Sequence, residues 1–224
     1  MNAVVIVSAL AEWQGIKPLF PSARFLPYPF GEYFSTAIRN RQVTFFHTGW
    51  GKIASAGALQ YIIDRRQPDL IVNLGTCGGL EGVVRQGDVV LVERTFVYDI
   101  VELMGDLDIS TYYASSLDLG WLRDPEPFPT RRGLIASADS DLPPDKIPFL
   151  RSKGVLAADW ESAALAWVAK KNNARLLILR AVSDIVGEQG GEAYDNIEIF
   201  NERAKVIMKQ LVGQLPDWLD AVRL

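Results

Sequence analysis

The fold is decided by residues 68–80, PDLIVNLGTCGGL, in which a short apolar run passes directly into a loop rich in glycine. The run at residues 70–74 has the length of a strand, and near-continuous apolar strands are those covered on both faces. Gln67, Pro68 and Asp69 stop the preceding helical segment just before this strand. The stretch therefore predicts a helix, a short connection and a buried strand.

The same alternation of strand and helix extends outward in both directions. Other apolar runs of strand length lie at residues 4–7, 43–46, 89–92, 134–136 and 176–179. Helical periodicity covers residues 53–66 and 159–171, and a closing helix is predicted at about 192–215, which Pro216 ends or bends. This order predicts an α/β fold with one domain at residues 1–224. We expect a three-layer sandwich with a central mixed, mainly parallel sheet flanked by helices.

Composition narrows the class of protein. The chain has 224 residues, of which 49% are hydrophobic, enough for the core of one sizeable domain. Its formal net charge is -4 and its Lys and Arg residues are scattered, which argues against nucleic acid as a partner. No apolar run approaches the roughly 20 residues needed to cross a bilayer, so no membrane partner is expected. A single cysteine and the absence of a signal-peptide pattern favour the cytoplasm.

Polar and glycine-rich segments follow the predicted strands, where ligands bind in open α/β sheets. They are residues 9–12, 48–52, 75–79 and 183–184, and residues 159–161 open a helix. Burial at a strand end would favour the neutral form of Asp184, which could then donate a proton, although an Asp that caps a turn fits equally well. Glu161 and Asp159 could stabilise a helix N-terminus, and Glu161 also suits sugar hydroxyls.

The glycine-rich loop at residues 75–79 fits either the floor of a small-molecule pocket or a simple tight turn. It lacks the Lys-Ser/Thr ending of a phosphate loop and the spacing of a dinucleotide fingerprint. Nucleoside triphosphates and NAD are therefore disfavoured. Thr76, Cys77 and Gly78 are candidate substrate contacts, Cys77 is not expected to be a nucleophile, and the only histidine, His47, receives no catalytic role.

In their order and spacing, these segments resemble the nucleoside phosphorylase and nucleosidase superfamily, most closely the methylthioadenosine/S-adenosylhomocysteine nucleosidases. The resemblance covers nearly the whole chain. It rests on residues 49–54 (GWGKIA), 68–80, 87–90 (GDVV), 133–139 (GLIASAD), 159–164 (DWESAA) and 180–184 (RAVSD).

The resemblance implies a role for several residues. Asp184, in the Ser183-Asp184 pair, would protonate or hydrogen-bond the departing purine at N7. Glu161 would hold ribose hydroxyls, while Asp159 and Trp160 replace the Glu and Met that precede it in the family. Asn73 stands where phosphorylases commonly have a phosphate-binding Arg, so water is the expected acceptor.

Three further positions complete the predicted site. The resemblance implies that Glu12 orients or deprotonates water. In an ungapped match with the family, Glu12 lies one residue before the position of the water-activating Glu. Asp141 and Leu142 stand where the family has an aromatic residue that stacks on adenine, so the base is not fixed. Trp50 replaces a smaller residue near the 5′-substituent pocket. The 5′ substituent of the substrate would therefore be shorter, or would stack against the indole.

The predicted function is hydrolysis of the N-glycosidic bond of a purine nucleoside-like compound, of the methylthioadenosine/S-adenosylhomocysteine type or a related one such as futalosine. No metal or organic cofactor is expected. The alternatives are a phosphate-dependent phosphorylase and a catalytically silent nucleoside-binding or storage protein. The resemblance also implies a homodimer, in which residues 97–111 of one subunit border the other's pocket.

Overall fold

The computed structural model describes residues 1–104 and 109–223. The strands are β1 (Ala3–Val7), β2 (Leu26–Tyr28), β3 (Gly31–Ile38), β4 (Arg41–His47), β5 (Leu70–Leu80), β6 (Val89–Val97), β7 (Ser115–Ser116), β8 (Arg131–Ser137), β9 (Val155–Asp159), β10 (Leu176–Gly187) and β11 (Gly190–Gly191). The helices are α1 (Leu10–Ile16), α2 (Gly51–Arg66), α3 (Ile147–Ser152), α4 (Ser162–Lys171) and α5 (Ile197–Asp220). Short 3-10 turns cover Lys17–Leu19, Ile109–Tyr113 and Pro144–Lys146.

One mixed sheet contains all of these strands, and its middle is parallel. β4, β1, β5 and β10 lie side by side and run in the same direction. β6, β8 and β9 form a second parallel group. Antiparallel pairs join the two groups, because β6 pairs with β10 and β9 pairs with β5. Strands β5, β10, β6, β8 and β9 therefore close into a ring, while β4, β3 and β2 extend the sheet away from it.

Helices cover both faces of the sheet. Along β1, the side chains of Ala3, Val5 and Val7 join the apolar cluster that also contains α1 and α5, whereas Val4 and Ile6 join the cluster that contains α2 and α4. All five are fully buried. Burying one Val or Ile side chain contributes about 1.5–3 kcal/mol. The run of apolar residues is thus explained by two covered faces, and the predicted three-layer α/β fold with a mixed sheet is confirmed.

Some boundaries differ from the sequence-based expectations. β5 continues through residues 75–80, so the glycine-rich segment is strand and not a loop. Asp159 ends β9 and does not begin a helix, since α4 starts at Ser162. α5 does not end at Pro216 but continues to Asp220. The last turn holds because Trp218 and Leu219 are buried against the sheet.

No helix in the described ranges has both the length and the apolar character needed to cross a membrane.

Candidate active site

A buried arginine lies at the centre of the predicted site. Arg180 is in the middle of β10 and is 1% exposed. Its guanidinium Nε lies 2.9 Å from Oδ2 of Asp159, Nη2 lies 3.3 Å from Oε2 of Glu161, and Nη1 lies 4.0 Å from Oε1 of Glu12. It also donates to the hydroxyl of Ser162 at 3.1 Å. Burial lowers the pKa of Arg180, but the three carboxylates outweigh burial and raise it, so the residue is a permanent buried cation.

Glu12 is held from three directions. It lies in the first turn of α1, where its Oε2 accepts a hydrogen bond from the backbone N–H of Ala9 at 3.2 Å. Its Oε1 accepts from the backbone N–H and the hydroxyl of Thr76, at 2.6 and 2.8 Å. Glu12 is 1% exposed. The carboxylate is therefore fixed beside β5 without rotational freedom.

Gly75 makes room for this arrangement. A Cβ on Gly75 would lie 2.3 Å from Nη1 of Arg180 and 2.9 Å from Oε1 of Glu12, closer than real Cβ atoms approach other atoms. At Gly79 the corresponding space is filled by side chains of Val182 and Val84, each 2.6 Å away. Gly75 and Gly79 thus leave space for the side chains of other residues of this protein.

Asp159 and Glu161 lie between the end of β9 and the start of α4. Oδ1 of Asp159 accepts from the hydroxyl of Ser137 at 2.6 Å and from the backbone N–H of Glu161 and Ser162, at 3.3 and 3.2 Å. Asp159 therefore stabilises the N-terminus of α4, because the partial positive charge there favours a carboxylate. Its remaining acceptor capacity goes to Arg180 and the hydroxyl of Ser162.

Glu161 is held by hydrogen bonds to both carboxyl oxygens, and its pKa is raised. Its Oε1 accepts from the backbone N–H of Gly51 at 3.1 Å, and its Oε2 accepts from Arg180. Burial raises the pKa of Glu161 to about 8, because desolvation outweighs the attraction of Arg180 and the nearby carboxylates of Asp159 and Glu12 add to it. The raised pKa favours the protonated form of the Glu161 carboxyl near neutral pH.

Asp184 lies at an irregularity of β10. The register of β10 against β5 shifts between Val182 and Asp184, which re-aims the side chains there, as β-bulges do. The hydroxyl of Ser183 donates to Oδ1 of Asp184 at 2.7 Å. Burial raises the pKa of Asp184, opposed by that hydrogen bond and by the charge of Arg203. The raised pKa fits a proton donor better than the cap of an exposed turn.

The strand register brings Asp184 and the segment that leads to Glu161 to the same level of the sheet. Gly78 of β5 pairs with Asp184 of β10 on one side and with Ala158 of β9 on the other. Ala158 is the residue before Asp159. Asp184 therefore lies on one side of β5 and the segment leading to Glu161 on the other.

The other predicted site residues differ in how far their side chains are exposed to solvent. Thr76 is nearly buried and bonded to Glu12, whereas Cys77 belongs to the apolar core and burial raises its pKa. Leu142 is also buried, and its carbonyl accepts a hydrogen bond from Tyr194. Trp160 is half-buried, and Trp50 is 62% exposed at the start of α2.

Sequence reasoning missed the central role of Arg180, which entered only as part of a motif. The signal was a charged residue inside the otherwise apolar run at residues 176–182. A charge in a strand buried on both faces must be paired, so this position predicts buried carboxylates nearby. Tyr194 was also missed; a Cβ on Gly191 would meet its ring at 2.6 Å and Oδ2 of Asp184 at 2.9 Å.

Two cavities, of about 310 and 330 Å³, lie away from these carboxylates. Neither is lined by Glu12, Glu161 or Asp184. The candidate site is therefore defined by strand register and by direct contacts between its side chains. Within the described residues, no group of three or more His, Cys, Asp and Glu side chains has a metal-binding arrangement.

Comparison with known proteins gives a family and close relatives in fold. The family model described as the phosphorylase superfamily matches residues 5–215. The chain is 29% identical over 180 residues to the 5′-methylthioadenosine/S-adenosylhomocysteine nucleosidase of Oceanobacillus iheyensis, covering 74% of this chain and 78% of that protein. It is 26% identical over 178 residues to the protein of the same name from Bacillus licheniformis, covering 73% and 77%.

Solved structures agree on the fold. The S-adenosylhomocysteine nucleosidase of Streptococcus pyogenes, crystallised with 5-methylthiotubericidin, superimposes with a TM-score of 0.80 at 21% identity, covering 100% of this chain and 98% of that one. The MTA/SAH nucleosidase of Streptococcus pneumoniae, in complex with 8-aminoadenine, gives a TM-score of 0.79 at 24% identity, covering 99% and 100%.

Proposed function

The chain belongs to the phosphorylase superfamily, and from this premise we propose that it is a nucleosidase that hydrolyses the N-glycosidic bond of a purine nucleoside of the methylthioadenosine/S-adenosylhomocysteine type. The observation that carries the proposal is the buried assembly of Glu12, Glu161 and Arg180, with Asp184 four residues after Arg180 on the same strand. The names of the similar proteins from Oceanobacillus and Bacillus support the substrate class.

Asp184 is proposed to assist departure of the base. As the bond between C1′ and the purine nitrogen breaks, its electron pair passes to the base, and a proton donor beside the ring stabilises that charge. The raised pKa of Asp184 favours its proton-donating form, and Ser183 fixes the carboxyl by donating to Oδ1. Groups of this kind contribute about 10²–10⁴-fold to the rate.

Glu12 is proposed to orient the attacking water and to accept its proton as oxygen bonds to C1′ of the cationic sugar. The carboxylate is held by Thr76 and Ala9, so its position does not depend on substrate. Glu161 is proposed to bind ribose hydroxyls. Its Oε1 already faces the N-terminus of α2 through Gly51, which fixes the carboxyl for that contact.

Water is the proposed acceptor in place of phosphate. The side chain of Asn73, where phosphorylases commonly have an arginine, is fully buried and donates to the carbonyl of Ile6 at 3.1 Å. Asn73 carries no charge with which to bind an anion. The other proposed substrate contacts are Thr76, Cys77, Gly78, Trp50, Trp160, Leu142, Asp159 and Ser183.

Base release by the purified protein tests the proposal. Methylthioadenosine, adenosylhomocysteine, inosine, futalosine and a pyrimidine nucleoside are incubated with and without phosphate, and free base and free sugar are measured. We expect adenine and free 5-methylthioribose without phosphate, and a loss of about 10²-fold or more in kcat for Asp184→Asn. Ser183→Ala is the milder matched variant. Phosphate-dependent formation of a sugar 1-phosphate would establish a phosphorylase, and absence of any base release would establish a silent binder.

A homodimer is also proposed, together with a single domain at residues 1–224 and a cytoplasmic location. Large apolar side chains are exposed at the start of α2 and in residues 101–104; Ile53 is 86% exposed and Leu103 is 89% exposed. Lys52, beside Ile53, forms an ion pair of 2.6 Å with Asp99, two residues before the second segment. Apolar patches of this kind mark protein interfaces. Part of the predicted interface, residues 105–108, lies outside the described residues.

Sedimentation at micromolar concentration tests the dimer. We expect twice the mass of the 224-residue chain, and a shift toward the single chain for Leu103→Glu, while the exposed control Val206→Glu keeps the dimer. A single chain for the unaltered protein would contradict this proposal.

A further inference from the structure

A second cavity of about 330 Å³ lies between β6, β7, β8 and the C-terminal ends of α3 and α4. Three cationic residues, Arg94, Lys153 and Lys170, line it. In the ranges that the structure describes, none of the three forms an ion pair with an acidic side chain within 4.0 Å, although other surface arginines such as Arg132 do. The cavity therefore gathers positive charge that the described chain leaves uncompensated.

Two residues with buried hydroxyls line the same cavity. Thr95 and Ser115 are 1% and 3% exposed, and neither hydroxyl oxygen has a hydrogen-bond partner among the residues that the structure describes. They are direct partners in the antiparallel register of β6 and β7, so their side chains stand next to each other. A buried hydroxyl without a partner costs about 1–3 kcal/mol. Two such hydroxyls at one cavity indicate that a ligand supplies the missing hydrogen bonds.

We infer that this cavity binds a small phosphate monoester, with the phosphate held by Arg94, Lys153 and Lys170 and hydrogen-bonded by Thr95 and Ser115. A phosphate offers several acceptor oxygens, which match cations and hydroxyl donors alike. The volume lies in the range of about 300–1,000 Å³ typical of small-molecule sites and exceeds what a lone phosphate needs. Apolar walls from Phe96 and Leu134 suit the organic part of the ligand.

Calorimetric titration at constant ionic strength tests the site, with glucose 6-phosphate as the probe and glucose and inorganic phosphate as its two halves. We expect glucose 6-phosphate to bind, inorganic phosphate to bind more weakly, and glucose not to bind. Arg94→Gln and Thr95→Val should each weaken binding about tenfold or more, as loss of a hydrogen bond to a charged group predicts. Lys171→Gln, which alters a neighbouring cation packed on Tyr112 and Trp167, should leave the Kd within about threefold.

Thr95→Val also has a readout that a structural role would not give. Because the hydroxyl has no partner among the described residues, the variant should unfold at the same temperature or higher without ligand, while losing the stabilisation that glucose 6-phosphate gives the unaltered protein. Base release should be unchanged.

Three results would overturn the inference. They are absence of binding by glucose 6-phosphate at millimolar concentration, full binding by both Arg94→Gln and Thr95→Val, and a changed Kd in Asp184→Asn alone. The last result would move the anion to the candidate active site.

Discussion

Removal of the Arg180 guanidinium is the sharpest test of the buried charge cluster. Arg180→Met keeps most of the side-chain volume but leaves the carboxylates of Asp159, Glu161 and Glu12 without their cation. Unit charges 4 Å apart interact by about 4 kcal/mol at an effective dielectric constant near 20, and breaking a buried pair costs about 3–5 kcal/mol. We expect a loss of about 3–5 kcal/mol in the free energy of unfolding at pH 8.

The loss should also depend on pH. Without the guanidinium, the pKa values of the buried carboxyl groups rise, so the folded variant binds more protons than the unaltered protein. Each additional proton makes the loss grow by about 1.4 kcal/mol per pH unit. The penalty is therefore smaller at pH 5.5 than at pH 8.

Urea unfolding followed by tryptophan fluorescence at both pH values, at one protein concentration, provides the measurement. Arg132→Met, which removes a half-exposed arginine paired with Glu93 and Glu126, is the control and should cost within about 1 kcal/mol. A loss for Arg180→Met below about 1 kcal/mol, or an equal loss at both pH values, would refute the reasoning.

Other predictions concern the same cluster. Gly75→Ala places a Cβ 2.3 Å from Arg180 and should cost about 1–3 kcal/mol, seen as a lower unfolding temperature; an unchanged temperature would show that the contact yields freely. Because the folded-state pKa of Glu161 is raised from 4.5 to about 8, this residue's contribution to stability is complete below pH 4.5 and falls as pH rises toward 8, so Glu161→Gln should flatten the pH dependence of the urea midpoint. Thr76→Val removes the hydroxyl bond to Glu12 and should lower kcat about tenfold with little change in KM, while Thr76→Ser restores it; equal rates for both variants would contradict the positioning role.

The parts of the fold that the sequence predicted are those with continuous apolar runs. β1, β5 and β10 are buried on both faces, so their hydrophobicity alone marks them. β3 alternates, because one of its faces is partly exposed, and β2 has three residues including Pro27. β9 ends in Ala-Ala-Asp, a composition that fits a helix equally well, which is why Asp159 was placed in α4.

The candidate site was predictable residue by residue but not as an assembly. Glu12 and Asp184 each follow a strand predicted from the sequence, Glu161 opens a predicted helix, and general rules direct attention to such positions. Their common partner could not be derived, because Arg180 meets carboxylates from α1, β9 and the turn before α4, which are separated by as many as 149 positions along the chain. Only the register of the sheet brings them together.

The ring of β5, β10, β6, β8 and β9 has a mechanical consequence. Every strand in the ring is hydrogen-bonded on both sides. Neither Asp184 nor the segment leading to Glu161 therefore lies on an edge strand, where hydrogen bonds can break or the register can shift. β2 forms the edge of the sheet that lies farthest from this ring. Damage or lengthening of the β2–β3 hairpin should therefore leave the spacing of the Asp184 and Glu161 carboxyls unaltered, making that hairpin a suitable place for a tag or label.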